Sequence, residues 1–155
     1  MGKDANGLSA VRGDERYLAF ISYFNAERDY FECHEVMEEL WLEEGRHPLL
    51  QGLLQAAVGL HHWHNDNFSG AVKLMEAALT KLSAYADVAL GLDLARLRAD
   101  LAASLAALAD RPEDAPFQAF ELAVLDEQLV RDVVAWEERR RSASDDGEGE
   151  GEGIL

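Results

Sequence analysis

In the stretch YFECHEVMEELW, His34 and Glu38 stand four residues apart, the spacing at which helical side chains meet on one face. An imidazole beside a carboxylate is the raw material of general acid–base work or of half a metal site. The zinc-hydrolase pattern HExxH needs a second His where this chain has Glu38, and a third ligand besides, so that assignment fails. The metal alternative left open is a set of His34, Glu38 and His62 with one free position, a small-ligand or metal-dependent hydrolase-like site. Glu35 and Glu38, or Glu38 and Glu39, offer an acid and a base, but no nucleophile, oxyanion donor or phosphate loop stands near them. Catalytic residues therefore stay unassigned, and no metal or other cofactor is expected. Cys33 falls among apolar neighbours and reads as a small hydrophobe rather than a nucleophile.

These side chains need helices to hold them. At about 100° per residue, Tyr30, Cys33, Val36, Met37, Leu40 and Trp41 share a broad apolar sector, which Phe31 and Leu42 extend across a gap. Glu32, Glu35, Glu39 and Glu43 take the opposite face, while His34 and Glu38 fall inside the gap and are expected to be covered. A covered carboxylate needs a partner. The next helix offers company, because LLQGLLQAAVGLHHWHN, residues 49–65, contains no Asp, Glu, Lys or Arg although 28% of the chain is charged. Gln51, Gln55 and His62 lie on one stripe of it, with Gly52 and Gly59 beside them to admit a close backbone. One buried polar cluster shared by two antiparallel helices, with Tyr30, Trp41 and Trp63 as walls of a possible pocket, accounts for both anomalies.

The remaining periodicity is helical throughout. Tyr17, Phe20, Ile21 and Phe24 mark a helix over 14–25, followed by one over 30–44 that ends at Gly45, with Pro48 opening the third, 49–64. A fourth spans 70–85. Asp93 caps a fifth, with Leu94, Leu97, Leu101, Leu105 and Leu108 at spacings of three and four. After DRPEDAP a sixth is expected over 116–140, with Leu122, Leu125, Leu129, Val133 and Trp136 on one face to cover a core or a partner. Residues 1–13 read as a loose lead-in and 142–155, rich in Gly and acid, as a disordered tail. No segment alternates like a strand. The expected fold is all-α, one helical domain over 14–141 built of about six helices in packed antiparallel hairpins. DYFECHEVMEEL and NFSGAVKLMEAA, 38 residues apart, echo one another weakly and align Cys33 with Ala71 and Met37 with Met75. Two such units fall short of the three a helical solenoid needs.

Composition sets the class of partner. Thirty acidic residues face fourteen basic ones, of which only Lys3, Lys73 and Lys81 are Lys, for a net charge of −16. Nucleic acid and anionic membrane bind through clustered Lys and Arg, so both are excluded. Acids spread along the whole chain suit a surface adapted to molar salt and a haloarchaeal source better than a concentrated cation site. No signal-like start, no run of about 18 apolar residues and a single cysteine make the cytoplasm the expected location.

HEVMEELW, followed after the turn by QGLLQAAVGLHHWHNDNFSGA, resembles the prokaryotic family catalogued as domain of unknown function 309, over about residues 24–82. The positions that match are Tyr30, His34, Glu35, Glu38, Glu39, Trp41, Gln55, His62, Asn67, Gly70 and Ala71. The segment NAERDYF departs from the resemblance, which implies an Asn-x-Gly turn and a shorter spacing there. The resemblance implies a small helical bundle with no assigned activity. With no catalytic set complete, the expected role is a non-enzymatic binding or scaffolding module, with a homo-oligomer as one form.

Overall fold

The computed structural model describes the backbone of residues 6–154 and the side chains of residues 7–144. Six α-helices carry the fold: α1 (Glu15–Ser22), α2 (Tyr30–Glu43), α3 (Pro48–His64), α4 (Phe68–Leu82), α5 (Leu94–Leu108) and α6 (Glu127–Ile154). Each start among the first five has a local cause. Asp14 Oδ1 accepts from the Arg16 N–H at 2.9 Å, Asp29 Oδ1 from Glu32 at 3.1 Å, Asn67 Oδ1 from Gly70 at 3.1 Å and Asp93 Oδ1 from Arg96 at 2.9 Å. His47 caps α3 through Nδ1, 3.2 Å from the Leu49 N–H, with Pro48 in the first turn. Such caps satisfy amides that the helix itself leaves unpaired.

Helix α3 is central, packing against α2 on one side and α4 on the other. Leu49, Leu50, Leu53, Ala56, Ala57, Leu60 and Trp63 are buried, as a charge-free helix requires. Its two glycines set the distance to α4: a Cβ at Gly59 would lie 2.7 Å from Met75 Cγ, and one at Gly52 2.9 Å from Leu82 Cδ2. Ala71, Met75, Ala78 and Leu82 supply the facing surface of α4, and Cys33, Met37 and Leu40 that of α2. The all-α expectation holds for the architecture. Among the described residues no helix is long and apolar enough to cross a membrane.

Five segments differ from the sequence reading. The lead-in is structured over its described part: Asn6–Gly13 forms a 3-10 helix that buries Leu8 and Val11, three apart and so on one side of it. Residues 1–5 lie outside the described residues. The first helix passes into a π-helical turn, Tyr23–Glu27, closed by Arg28 in the left-handed region, φ 53°. A two-stranded antiparallel hairpin, β1 (Val88–Ala89) and β2 (Leu92–Asp93), appears where no strand was expected. Its two-residue turn, Leu90 and Gly91 at φ 53° and 77°, has the double positive φ that matches strand twist, and strands of two residues are too short to show alternation.

The largest difference is the start of the sixth helix. Residues 116–126 are not helical, and α6 begins only at Glu127, capped by Asp126 Oδ1, which accepts from Gln128 and Leu129 at 2.8 and 3.1 Å. Backbone partners elsewhere hold that strap extended. Asn25 donates Nδ2 to the Leu122 carbonyl at 2.9 Å and accepts the Leu122 N–H at 2.8 Å, and Val124 bridges Leu92. Of the expected apolar face, Leu122, Leu129 and Val133 are buried while Leu125 stands exposed. At the far end, helical backbone continues through Ile154 where an irregular tail was expected from residue 142. No proline interrupts it, and the side chains beyond residue 144 lie outside the described ones.

Tyr17 ties these parts together. Its ring is fully buried and its hydroxyl donates to the Leu90 carbonyl at 2.7 Å, fastening the hairpin turn to α1. Replacing Tyr17 with Phe keeps the shape and orphans a carbonyl. The expected loss is about 1–3 kcal/mol in urea unfolding with an unchanged slope; a loss under roughly 0.5 kcal/mol would mean that the bond contributes nothing net.

Candidate functional site

Helix α2 presents three kinds of surface. Cys33, Met37 and Leu40 face the core. Burial pushes the Cys33 thiol well above the usual range, and its Sγ rests 3.5 Å from the Phe20 carbonyl, so a thiolate nucleophile is disfavoured there. A second flank meets α1: Arg16, already bound to Asp14 at 2.8 Å, reaches Glu39 at 3.2 Å and also pairs with Glu43. Glu39 and Glu43 thus have a structural use, anchoring α1 to α2.

The third surface faces water and holds the predicted pair. His34 Nε2 lies 2.9 Å from Glu38 Oε2, and His34 Nδ1 lies 3.2 Å from Glu35 Oε1. A neutral imidazole donates through one nitrogen only, so both contacts are hydrogen bonds only when the ring is protonated. The pairing matches the spacing, but the expected burial does not. The side chain of Glu38 is 48% exposed, Glu35 54% and His34 36%. The physical reason is the far wall of the gap: Phe31 and Leu42 were read as extending the apolar sector, and both are exposed, at 55% and 47%. With those two in water, nothing closes over His34 and Glu38.

The cluster spanning two helices is not assembled. His34 and Glu38 make no hydrogen bond or ion pair with Gln51, Gln55 or His62; their polar contacts stay within α2. Gln51, Gln55 and His62 are each half-buried on α3. His62 Nδ1 instead faces Asn67 Nδ2 at 3.3 Å, and its pKa is lowered by burial and by the neighbouring His61. Among the described residues no three His, Cys, Asp or Glu side chains gather as a metal site, so the set of His34, Glu38 and His62 does not form one. Glu35, expected among the solvated acids, is there. Tyr30 is buried and Trp41 half-buried over Arg46, whose guanidinium lies 5.8 Å from its ring centre.

Four buried polar atoms on α2 and α3 have no hydrogen-bond partner among the described residues: Tyr30 Oη, Trp41 Nε1, Gln55 Oε1 and Trp63 Nε1. Three of them belong to residues singled out as site candidates from the sequence, and Trp63 to the aromatic walls. What that reading missed is Phe117 in the strap, whose ring meets Tyr30, Trp63 and His64 at 6.4, 5.4 and 4.9 Å. No local signal sets it apart, since Pro116, which opens PFQAF, can begin a helix as Pro48 does. A hollow of about 570 Å³ lies elsewhere, on α4 beside Pro112, and takes in none of the predicted site residues.

With this geometry in hand, comparison with known sequences adds a family likeness. The chain is 42% identical over 86 residues to a protein of Bacillus subtilis (strain 168) named "Uncharacterized protein YpuF". That alignment spans 52% of this chain and 49% of the relative, so the chain covers about half of the relative's length. A Bacillus relative lends no support to a haloarchaeal source. Residues 17–74 match the sequence model of the family described as "Domain of unknown function (DUF309)". The chain is therefore similar to the DUF309 family from α1 into α4, the stretch that carries Tyr30, His34, Glu35, Glu38, Trp41, Gln51, Gln55 and His62.

Proposed function

We propose that this protein is a non-catalytic binding module whose contact surface is the outer stripe of α2. One observation carries the reading. Phe31, Glu35, Glu38 and Leu42, at positions i, i+4, i+7 and i+11, form a single exposed line with apolar ends and an acidic middle. Isolated exposed hydrophobes are ordinary, but two large ones aligned about 16 Å apart on one helix make a repeat that a second helix can match. Among the described residues Glu35 and Glu38 bond only His34, so no other described element depends on them. His34 lies within reach of both carboxylates, at 3.2 and 2.9 Å, between the anchors.

Chemistry selects the partner. The carboxylates favour a helical segment with Lys or Arg between two apolar side chains. A second copy of the chain brings −16 against −16, which opposes self-association in dilute buffer. In molar salt the screening length falls to about 3 Å and that objection goes, so a homo-oligomer is the salt-dependent form of the same reading. The acid-rich surface with little Lys supports adaptation to such salt. No specific observation favours the small-ligand or metal-dependent reading at His34, Glu38 and His62.

The test is an NMR titration of the full chain with a synthetic amphipathic Lys/Leu helix at physiological salt. Shifts are expected to saturate and to cluster on Phe31, His34, Glu38 and Leu42. A Phe31→Ser/Leu42→Ser double variant should keep its melting temperature and weaken the peptide at least about tenfold, the equivalent of 1.4 kcal/mol. Glu38→Gln should cost under roughly 1 kcal/mol of stability, as an exposed pair does. Shifts scattered over the whole acidic surface, or undiminished in the double variant, would defeat the reading. For the salt inference, the melting temperature should climb steadily from dilute buffer to molar KCl; a flat curve counts against it.

A further inference from the structure

The strap between α5 and α6 is held in an unusual way. Between Ala115, whose N–H donates to the Pro112 carbonyl at 3.1 Å, and Leu122, gripped by Asn25, residues 116–121 make no hydrogen bond within the described protein. Two rings do the holding. Phe120 packs on Phe24 at 5.9 Å, and Phe117 enters a slot built by Tyr30, Trp63 and His64. All three slot contacts are steep, with interplanar angles of 73°, 84° and 63°. Segments held by few contacts and no backbone ladder open far more readily than the whole fold.

On the residues that wall the slot the polar bookkeeping is incomplete. Tyr30 and Trp63 are 4% and 2% exposed, yet Tyr30 Oη and Trp63 Nε1 lack partners, and a Phe ring has no lone pair to offer either. The contrast within the molecule is Tyr17, equally buried, whose hydroxyl is paired. Two unpaired donors on the two best-buried walls of one ring are costly to maintain.

We propose that residues 116–121 are a displaceable lid, and that the slot under Phe117 takes a flat heteroaromatic ligand carrying a hydrogen-bond acceptor. The indole N–H donates only, so the ligand must supply the lone pair, while the Tyr30 hydroxyl serves as donor or acceptor. Burial pushes the Tyr30 phenol up to about 12, leaving it a neutral donor at pH 7. With a chain charge of −16, a neutral or weakly basic ring is favoured over an anionic one. His64 is exposed and marks the open side of the slot. Phe117 is then an internal stand-in, and the apparent affinity of the ligand is its intrinsic affinity reduced by the fraction of time the lid is open. This site is independent of the outer stripe of α2, because Tyr30 lies on the buried side of that helix.

The test uses quinoxaline, whose two ring nitrogens offer one lone pair each to the Trp63 N–H and the Tyr30 hydroxyl, and naphthalene as the same shape without an acceptor, with NMR detection of the side-chain N–H signals of Trp41, Trp63 and Trp136 in the full chain. Quinoxaline is expected to move the Trp63 signal and leave the other two. Phe117→Ala should tighten quinoxaline by about tenfold or more by removing the competitor. Tyr30→Phe should weaken quinoxaline by roughly fivefold, the worth of one hydrogen bond, and leave naphthalene unchanged. The proposal is overturned if Trp63 does not respond to quinoxaline up to its solubility limit, if Tyr30→Phe affects both rings alike, or if Phe117→Ala leaves the affinity where it was. Should Phe117→Ala fail to fold, the wild-type Trp63 response and the Tyr30→Phe comparison decide alone.

Discussion

The close approach of α3 to α4 is the constraint from which the rest follows. At Gly59 a Cβ would lie 2.7 Å from Met75 Cγ, so that something must shift, and at Gly52 it would lie 2.9 Å from the end of the Leu82 side chain, which gives more easily. Glycine in a helix interior costs about 1 kcal/mol relative to Ala, so two of them on one side of α3 exchange helix stability for a tight seam. That seam lets α3 sink its leucines and Trp63 into the centre, with α2 closing the other side. Because α3 is enclosed, α2 and α4 become its walls, and only their outer faces remain to meet anything else.

Legibility followed the range of the interaction concerned. The first five helices announce themselves locally: Asp14, Asp29, Asn67 and Asp93 stand where side-chain caps are needed, and Gly45 and Pro48 divide α2 from α3. The strap could not be read that way. Leu122, Leu125 and Leu129 keep a helical spacing, but Asn25, 97 residues away, takes both backbone groups of Leu122 and keeps the segment extended. The hairpin is similar in kind, since its turn is held by Tyr17 from the other end of the chain. Local propensity decides where nothing distant competes; at these two places something does.

At the candidate site the same split runs through one pair of residues. The contact between His34 and Glu38 is a property of helix spacing alone, and it is present at 2.9 Å. Their burial depended on whether Phe31 and Leu42 turn inward, which is a tertiary question. An apolar residue at the edge of a sector carries no sign of which way it will go, because more than half of a folded surface is apolar anyway. Gln55 shows the opposite case: its stripe was read as covered, and its carbonyl oxygen is buried but without the partners expected for it.

Glutamates on α2 divide by what they touch, and this separates architecture from surface chemistry more sharply than burial does. Glu39 and Glu43 pair with Arg16 across the junction of α1 and α2, although both carboxylates are exposed. Glu35 and Glu38 answer to a histidine on their own helix, and no other element of the described fold relies on them. A carboxylate paired across two helices joins elements of the fold. One paired with an imidazole on its own helix joins none, and the small worth of an exposed ion pair applies to both kinds. The fold therefore engages Glu39 and Glu43 with α1 and, among the described residues, leaves Glu35 and Glu38 with polar contacts on α2 alone.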